Sequence, residues 1–491
     1  MPPNPHRLSK SKFTAGHQCH RQLWWKVHDR RAPELRPDAN LLEIFAMGTR
    51  VGERARAEFP GAVLIDFNPR NLEAAVAATK RALEAGAHTI LEASFLEDGV
   101  FVAVDALSKE GDAWVLTEVK ATTRVKPQHL PDAAVQAHVV EQAGLRVGRV
   151  ELMHLNNQHR HPHDGPLFIR ADITRAVAGL RPSIPAQIAA QHQMLQAPLP
   201  DVAPGPHCTS PYECPFLARC HRPRPDHAIE DLNGIRAKQL GELRDAGIET
   251  VDQIPSDFPL TPLHARHRTA VSQNEMVVEP GLAKALQRYD FPIAMLDFET
   301  VGPALPVWEG CSPFGKVPVQ FSVHTLHPNG EVTHRAYLAE AGSDPRPRIA
   351  EELTDALQDA ATILAWHAST ERACLQTLAD FSPEHAPALM QACNKVEDLL
   401  PVVKSYLYHP AFRGSFSIKQ VVEALLPDLA YADLEIMDGQ TASWQLETLL
   451  CRPERLSPAE QEALRQRLLA YCERDTQVMV ALFQFLVECA P

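Results

Sequence analysis

The stretch FPIAMLDFETVG, residues 291–302, leaves little latitude in how its surroundings fold. Its apolar run reads as a strand, and two-residue alternation sends Asp297 and Glu299 to one face. Two carboxylates at the end of an otherwise apolar strand are costly to bury unless something cationic neutralises them, and a divalent metal does so. Two later segments offer further ligands. ATILAWHASTERACLQTLA reads as strand, short loop and helix, with Glu371 near the helix start. RLLAYCERDTQVMVALFQFL reads as an apolar helix in which Tyr471 and Asp475, four apart, share a face.

A second constellation precedes it. From Ile90 the pattern ILEASFLEDGVFVAVDALSKEGDAWVLTEVKAT reads as three strands with turns at Asp98-Gly99 and Gly111-Asp112. Asp105 sits near the end of the middle strand. Glu118 and Lys120 lie two apart on the next, hence on one face, with Val119 pointing away. Asp105 and Glu118 can share a hard divalent cation, with Lys120 beside them to orient or stabilise a hydroxide. After Pro131 a helix carries Gln136, and the upstream helix Met47 to Phe59 offers Glu53.

Cys208, Cys214 and Cys220 are each separated by five residues, and Cys19 lies far upstream in HQCHRQLWW. Four thiolates can close a zinc site or a [4Fe–4S] cluster. Zinc sites usually pair cysteines two to four apart, which this spacing does not do. Cys311, Cys374, Cys393, Cys451, Cys472 and Cys489 are scattered and read as core or surface thiols. Arg21, Trp24, Trp25 and Lys26 beside Cys19 suit either a nucleic-acid strand or core packing.

Residues Leu8 to Pro223 resemble the RecB-like branch of the PD-(D/E)XK nucleases, which includes CRISPR-associated nucleases with an iron–sulfur cluster. Asp105, Glu118 and Lys120 fall on that family's Asp…Glu-x-Lys motif and Gln136 on the Gln of its next helix. Glu53 stands where many relatives place a His ligand, and Val140 where a Tyr is common. One early and three late cysteines are also that group's arrangement, although its usual spacing is C-x2-C-x5-C. The resemblance implies a [4Fe–4S] cluster on Cys19, Cys208, Cys214 and Cys220, tying the ends of the domain together.

Asp-x-Glu, a later acid and Tyr-x3-Asp in a final helix resemble the DEDD 3′–5′ exonucleases of the RNase H-like fold. Asp297, Glu299 and Asp475 fall on that pattern, and Tyr471 on its water-orienting Tyr. Glu371 stands where Asp is usual, and His367 where Asn is common. Phe291 to Leu486 also resembles a bacterial family catalogued as a domain of unknown function and joined to RecB-like domains. The resemblance implies Mg²⁺ or Mn²⁺ held by Asp297, Glu299, Glu371 and Asp475. As chemistry, two cations about 4 Å apart would activate a water and stabilise a leaving 3′ oxygen.

The expected architecture is α/β and multidomain. A PD-(D/E)XK restriction-endonuclease-like domain spans 1–225, a helical connector 226–285 and an RNase H-like exonuclease domain 286–491. Pro-rich APLPDVAPGP marks one boundary, and the region from Ser272 to Arg288 the other. Within the connector, Asp231 to Pro255 reads as short helices broken at Gly234 and Gly247. It suits a helix-hairpin-helix or a plain spacer.

The formal charge of −13 argues against a phosphate-rich partner until it is divided. Residues 1–225 hold 27 Lys and Arg against 23 Asp and Glu, leaving 21 against 38 for the remainder, so the N-terminal half is the better candidate to grip a backbone. The expected partner is nucleic acid, preferably single-stranded or end-containing DNA. The alternatives are an RNA exonuclease and a nucleic-acid-binding scaffold with one or both sites inactive. No apolar run approaches a membrane span and the start MPPNPHRLSKSK lacks a secretory segment, so no membrane partner and a cytoplasmic address are expected.

Overall fold

Asp98 and Gly99 both adopt left-handed backbone (φ 51° and 72°), as does Gly111 (φ 59°). The chain therefore folds back twice after Thr89, as two tight hairpins require. The computed structural model describes residues 6–66, 68, 70–221 and 223–490. It is a mixed α/β structure in two units: Met1–Arg222 with Ala304–Phe314, and Pro223–Pro303 with Gly315–Pro491.

The sheet of the first unit contains β1 (Leu8–Ser9), β2 (Val63–Leu64), β3 (Thr89–Glu97), β4 (Val100–Glu110), β5 (Ala113–Lys120), β6 (Val147–Leu155) and β7 (Phe168–Asp172). Strands β2 to β7 lie in sequence order, and β1 pairs with β4. Pairing is parallel at β1/β4, β2/β3 and β5/β6 and antiparallel elsewhere. The helix His129–Gln142, buried over most of its length, packs on β3, β4 and β6 through residues such as Ala133 and Ala137. Asp105 sits mid-strand, since β4 continues to Glu110.

In the second unit a small pair, β8 (Val277–Val278) with β14 (Leu407–Tyr408), accompanies a five-stranded sheet. Its strands are β9 (Ile293–Val301), β10 (Val317–Leu326), β11 (Val332–Leu338), β12 (Thr362–Ala365) and β13 (Val396–Asp398), in the order β11-β10-β9-β12-β13. The first three are antiparallel, and β12 and β13 join parallel. Alternation along β9 divides the core. Ala294, Leu296 and Phe298 pack with the helices Arg346–Leu357 and Ser369–Phe381. Ile293 and Met295 pack on the other side with Met479 and Phe483 of the terminal helix, Pro458–Cys489. Asp297 and Glu299 continue the second series, so they fall beneath that helix.

Between Asp231 and Pro255 the structure holds one α-helix, Ala237–Asp245, flanked by 3-10 turns, around a small core of Ile229, Leu232, Leu243, Val251 and Ile254. Gly234 and Gly247 take positive φ there, so each ends a helical run rather than joining two helices. Gly414 admits no side chain: a Cβ would lie 1.9 Å from the Asp231 carbonyl oxygen.

Candidate functional sites

On the first sheet, pairing fails on both sides of Asp105. The β4/β5 ladder stops at Ala106 opposite Thr117, one step before Asp105 would meet Glu118. The Val119 amide that loses its ladder partner donates to Asp105 Oδ2 instead, at 2.6 Å. On the other side, the β3/β4 ladder skips Glu92, whose φ is 57°; its carboxylate accepts from Arg56 at 2.9 Å. The gap in the sheet is thus lined by acidic groups and satisfied by side chains.

Glu118, fully buried, is held by three groups. Lys120 Nζ is 2.6 Å and Lys10 Nζ 2.8 Å from its Oε1, and Gln136 Nε2 donates to Oε2 at 2.7 Å. Lys120 also donates to Asp132 Oδ2 at 2.6 Å. Burial alone would raise the Glu118 carboxyl, but the two ammonium groups reverse this and hold it below its ordinary range. Burial, with Glu118 nearby, pushes Asp105 up to about 7. The same carboxylates overcome burial to hold Lys10 and Lys120 above their ordinary range.

The structure thus brings Asp105, Glu118, Lys120 and Gln136 together. Glu53 is not brought with them: it is exposed, and its helix, Ala39–Arg56, lines the Asp105 cavity with Gly52, Ala55 and Arg56. Glu92, Lys10 and Asp132 are additions that the sequence reading missed. Asp132 had a signal, lying four residues before Gln136 on one helix face. Glu92 had none, because its place depends on an irregular register.

Cys19, Cys208, Cys214 and Cys220 line one small cavity, and all four are free thiols. Burial raises the Cys214 thiol, and the other three cysteines raise it further, as closely grouped thiolates would. The Gly205 amide lies 3.4 Å from Cys208 Sγ. Beside them Trp25 is buried against Phe216 at 5.1 Å, and Trp24 donates to the Ala197 carbonyl at 3.0 Å. Packing accounts for both tryptophans.

In the second unit, one carboxylate oxygen from each of Asp297, Glu299 and Asp475 lies within 4.8 Å of the others. Strand β9 supplies the first two and the terminal helix the third. Burial, then neighbouring acids, raises Asp297 well above its ordinary value and Glu299 to about 8. Burial takes Asp475 to about 6, against opposing help from Tyr431 and Lys419. Tyr431 Oη donates to Asp475 Oδ1 at 2.5 Å, and Cys472 Sγ lies 3.6 Å from Asp297 Oδ2.

Glu371, in the first turn of Ser369–Phe381, is buried, and its Oε2 has no hydrogen-bond partner among the described residues. Burial, with Asp398, pushes it up to about 7, and it in turn helps to raise the Asp297 carboxyl. Just before it His367 takes a left-handed backbone (φ 64°), its amide donating to Asp398 Oδ1 at 3.2 Å. Tyr471 is buried, and its hydroxyl accepts from Lys419 Nζ at 3.2 Å. Lys419 and Tyr431 were not legible, because their sequence distance from the acids carries no period.

The donor set fits a divalent cation. Its atoms are oxygens, they are largely buried, and Lys419 is the cation that opposes the raised Glu299 and Asp475 carboxyls.

Residues 294–417 match the model of a family described as a domain of unknown function (DUF2779). The matched span contains Asp297, Glu299 and Glu371 but ends before Tyr471 and Asp475. No curated protein matches the chain.

Proposed function

We propose that this chain is a metal-dependent nuclease with two active sites and a structural [4Fe–4S] cluster, acting on single-stranded or end-containing DNA. The observation that carries the reading is the buried group Asp297, Glu299 and Asp475, drawn from a strand and a distant helix, with Glu371 unsatisfied beside it. Uncompensated carboxylates are retained in a core at a cost, and function is the usual reason.

The sheet order, with an antiparallel triplet followed by two parallel strands, supports the RNase H-like assignment and so a DEDD-type 3′–5′ exonuclease. Asp297, Glu299, Glu371 and Asp475 would hold Mg²⁺ or Mn²⁺, which when bound supplies Lewis acidity and a hydroxide at neutral pH. Tyr431 fixes the Asp475 carboxylate by its short hydrogen bond. Lys419 donates to the Tyr471 hydroxyl, which also bonds Asp475 and would orient a water.

In the first unit, the break in the sheet at Asp105 and the Glu118-x-Lys120 pair support the RecB-like PD-(D/E)XK assignment. Asp105 and Glu118 would hold the metal. Gln136 orients Glu118 through Oε2, while its own Oε1 is buried without a partner among the described residues. Lys120 keeps a proton and so a positive charge beside the reacting phosphate. The grouped thiols fit an iron–sulfur cluster.

An assay on end-labelled single and double strands with Mg²⁺ or Mn²⁺ tests the reading. Stepwise 3′–5′ trimming that needs Asp297, and a second cleavage pattern that needs Lys120, are expected. Indistinguishable products from the wild type and the Lys120→Ala/Asp297→Ala double variant would leave a binding scaffold instead. For the cysteines, protein purified without oxygen should be brown and contain iron and acid-labile sulfide. Zinc in their place would remove the cluster from the proposal.

A further inference from the structure

Thr476 Oγ1 stands at the centre of a closed polar network on the β10/β11 face. It donates to the Glu473 carbonyl at 3.1 Å. A hydroxyl has one proton, so Thr476 must accept from its other two partners, Ser322 Oγ and His324 Nδ1, each at 2.7 Å. Ser322, its proton committed to Thr476, must then accept from His334 Nε2 at 2.9 Å. Both tautomers follow from the network. His324 carries its proton on Nδ1 and His334 on Nε2, leaving lone pairs on His324 Nε2 and His334 Nδ1.

Those two residues are cross-strand partners on β10 and β11, with rings stacked at 4.2 Å. Glu473, from the terminal helix, places Oε1 3.7 Å from His334 Nδ1. That is too long for a hydrogen bond, so the carboxylate does not use the lone pair's site as an acceptor. One ligand atom from each of His324, His334 and Glu473 lies within 4.8 Å of the other two. Burial lowers both imidazoles, His324 to about 4, so neither is protonated at neutral pH.

We infer that His324, His334 and Glu473 form a transition-metal site, separate from the Asp297 cluster, that takes a divalent ion of borderline softness such as Zn²⁺. Two neutral imidazoles and one carboxylate are a donor set for zinc rather than magnesium. Each ring's other nitrogen is fixed by a hydroxyl, as the rings of metal-binding histidines are fixed. His334 and Glu473 are exposed, so rotation of their side chains can close the site on the buried His324. The ion would fasten the terminal helix to the sheet. Ser322, which anchors His334, is the cross-strand partner of Asp297, so the fastening lies one rung from the carboxylate cluster.

This inference stands whether or not the chain is a nuclease. The full chain, titrated calorimetrically with Zn²⁺ under excess Mg²⁺, should bind one more Zn²⁺ than His334→Gln. Glu473→Gln should bind that ion at least about tenfold more weakly, the scale on which altered metal surroundings are felt. Comparing variant with wild type cancels any zinc taken by the cysteines. Zn²⁺ should also raise the thermal midpoint of the wild type more than that of either variant. Equal zinc stoichiometry and affinity in the wild type and both variants, with circular dichroism showing all three folded, would overturn the inference. His334 is exposed, so its replacement does not put folding at risk.

Discussion

The two carboxylate clusters are built alike and charged differently. In the first unit Glu118 is gripped by Lys10 and Lys120, and Asp132 binds Lys120 as well, so acids and bases nearly balance. In the second, Asp297, Glu299, Glu371 and Asp475 share a core in which Lys419 acts on Glu299 and Asp475 and Arg372 on Glu371, yet all four carboxyls are raised. The difference teaches how much of each site is finished without an ion. The first has its internal counter-ions, and on the proposed reading Asp105 and Glu118 would hold the metal. The second is held together against its own repulsion, and on the proposed reading divalent ions would complete its charge.

The sharpest way to break this comparison is Asp297→Ala. It should lower 3′–5′ trimming by at least about a hundredfold, since even supporting groups around a metal matter on that scale. Cleavage that depends on Lys120 should persist, and Lys120→Ala should give the converse. Loss of every product in either single variant, followed by release of end label, would replace two sites with one.

Stability should separate the clusters next. In the second unit the folded state keeps protons that the unfolded chain releases. Its raised carboxyls therefore cost stability progressively as pH rises from about 4, the unfolded value, towards about 8, to which burial pushes Glu299. Below that window both states are protonated and the cost vanishes. Mg²⁺ offsets the cost, so its effect on the thermal midpoint should grow between pH 5 and pH 8, on the order of 5 °C. Asp297→Asn should abolish that growth; a pH-independent Mg²⁺ effect would show that the repulsion is relieved otherwise.

A smaller contrast concerns the lysines. Lys10→Met leaves buried Glu118 with one ammonium group in place of two and should cost about 1–3 kcal/mol in urea unfolding. Lys419→Met removes a group that touches the Tyr471 hydroxyl and the Met437 carbonyl but makes no ion pair shorter than 4 Å among the described residues. It should change stability by less and slow trimming by about tenfold, with the metal requirement shifted little. Equal destabilisation by the two substitutions would mean that Lys419 is a structural counter-ion after all.

Much of each site was legible because short-range geometry carries it. Period two places Glu118 with Lys120 and Asp297 with Glu299, and a spacing of four places Tyr471 with Asp475. The hairpin turns at Gly99 and Gly111 lie where Asp-Gly and Gly-Asp pairs announced them. Glu53 shows the limit of such rules, since a helix has several faces and only packing selects the one that meets the acids. Lys10, Glu92, Lys419 and Tyr431 lie beyond that limit too: each reaches its partner through strand pairing or helix packing over a sequence separation that has no period.

By itself, then, the sequence determined the strands, the helices and which acids share a face, because backbone periodicity acts within a few residues. It also placed the cysteines in one early and three late positions. Tertiary structure alone decided that those four line one cavity and that the β4/β5 ladder ends one step before Asp105. It likewise decided that one carboxylate cluster is paired with lysines at salt-bridge distance while the carboxyls of the other stay raised. Charge balance in a core depends on which side chains arrive from distant segments, and that is settled by packing rather than by local order along the chain.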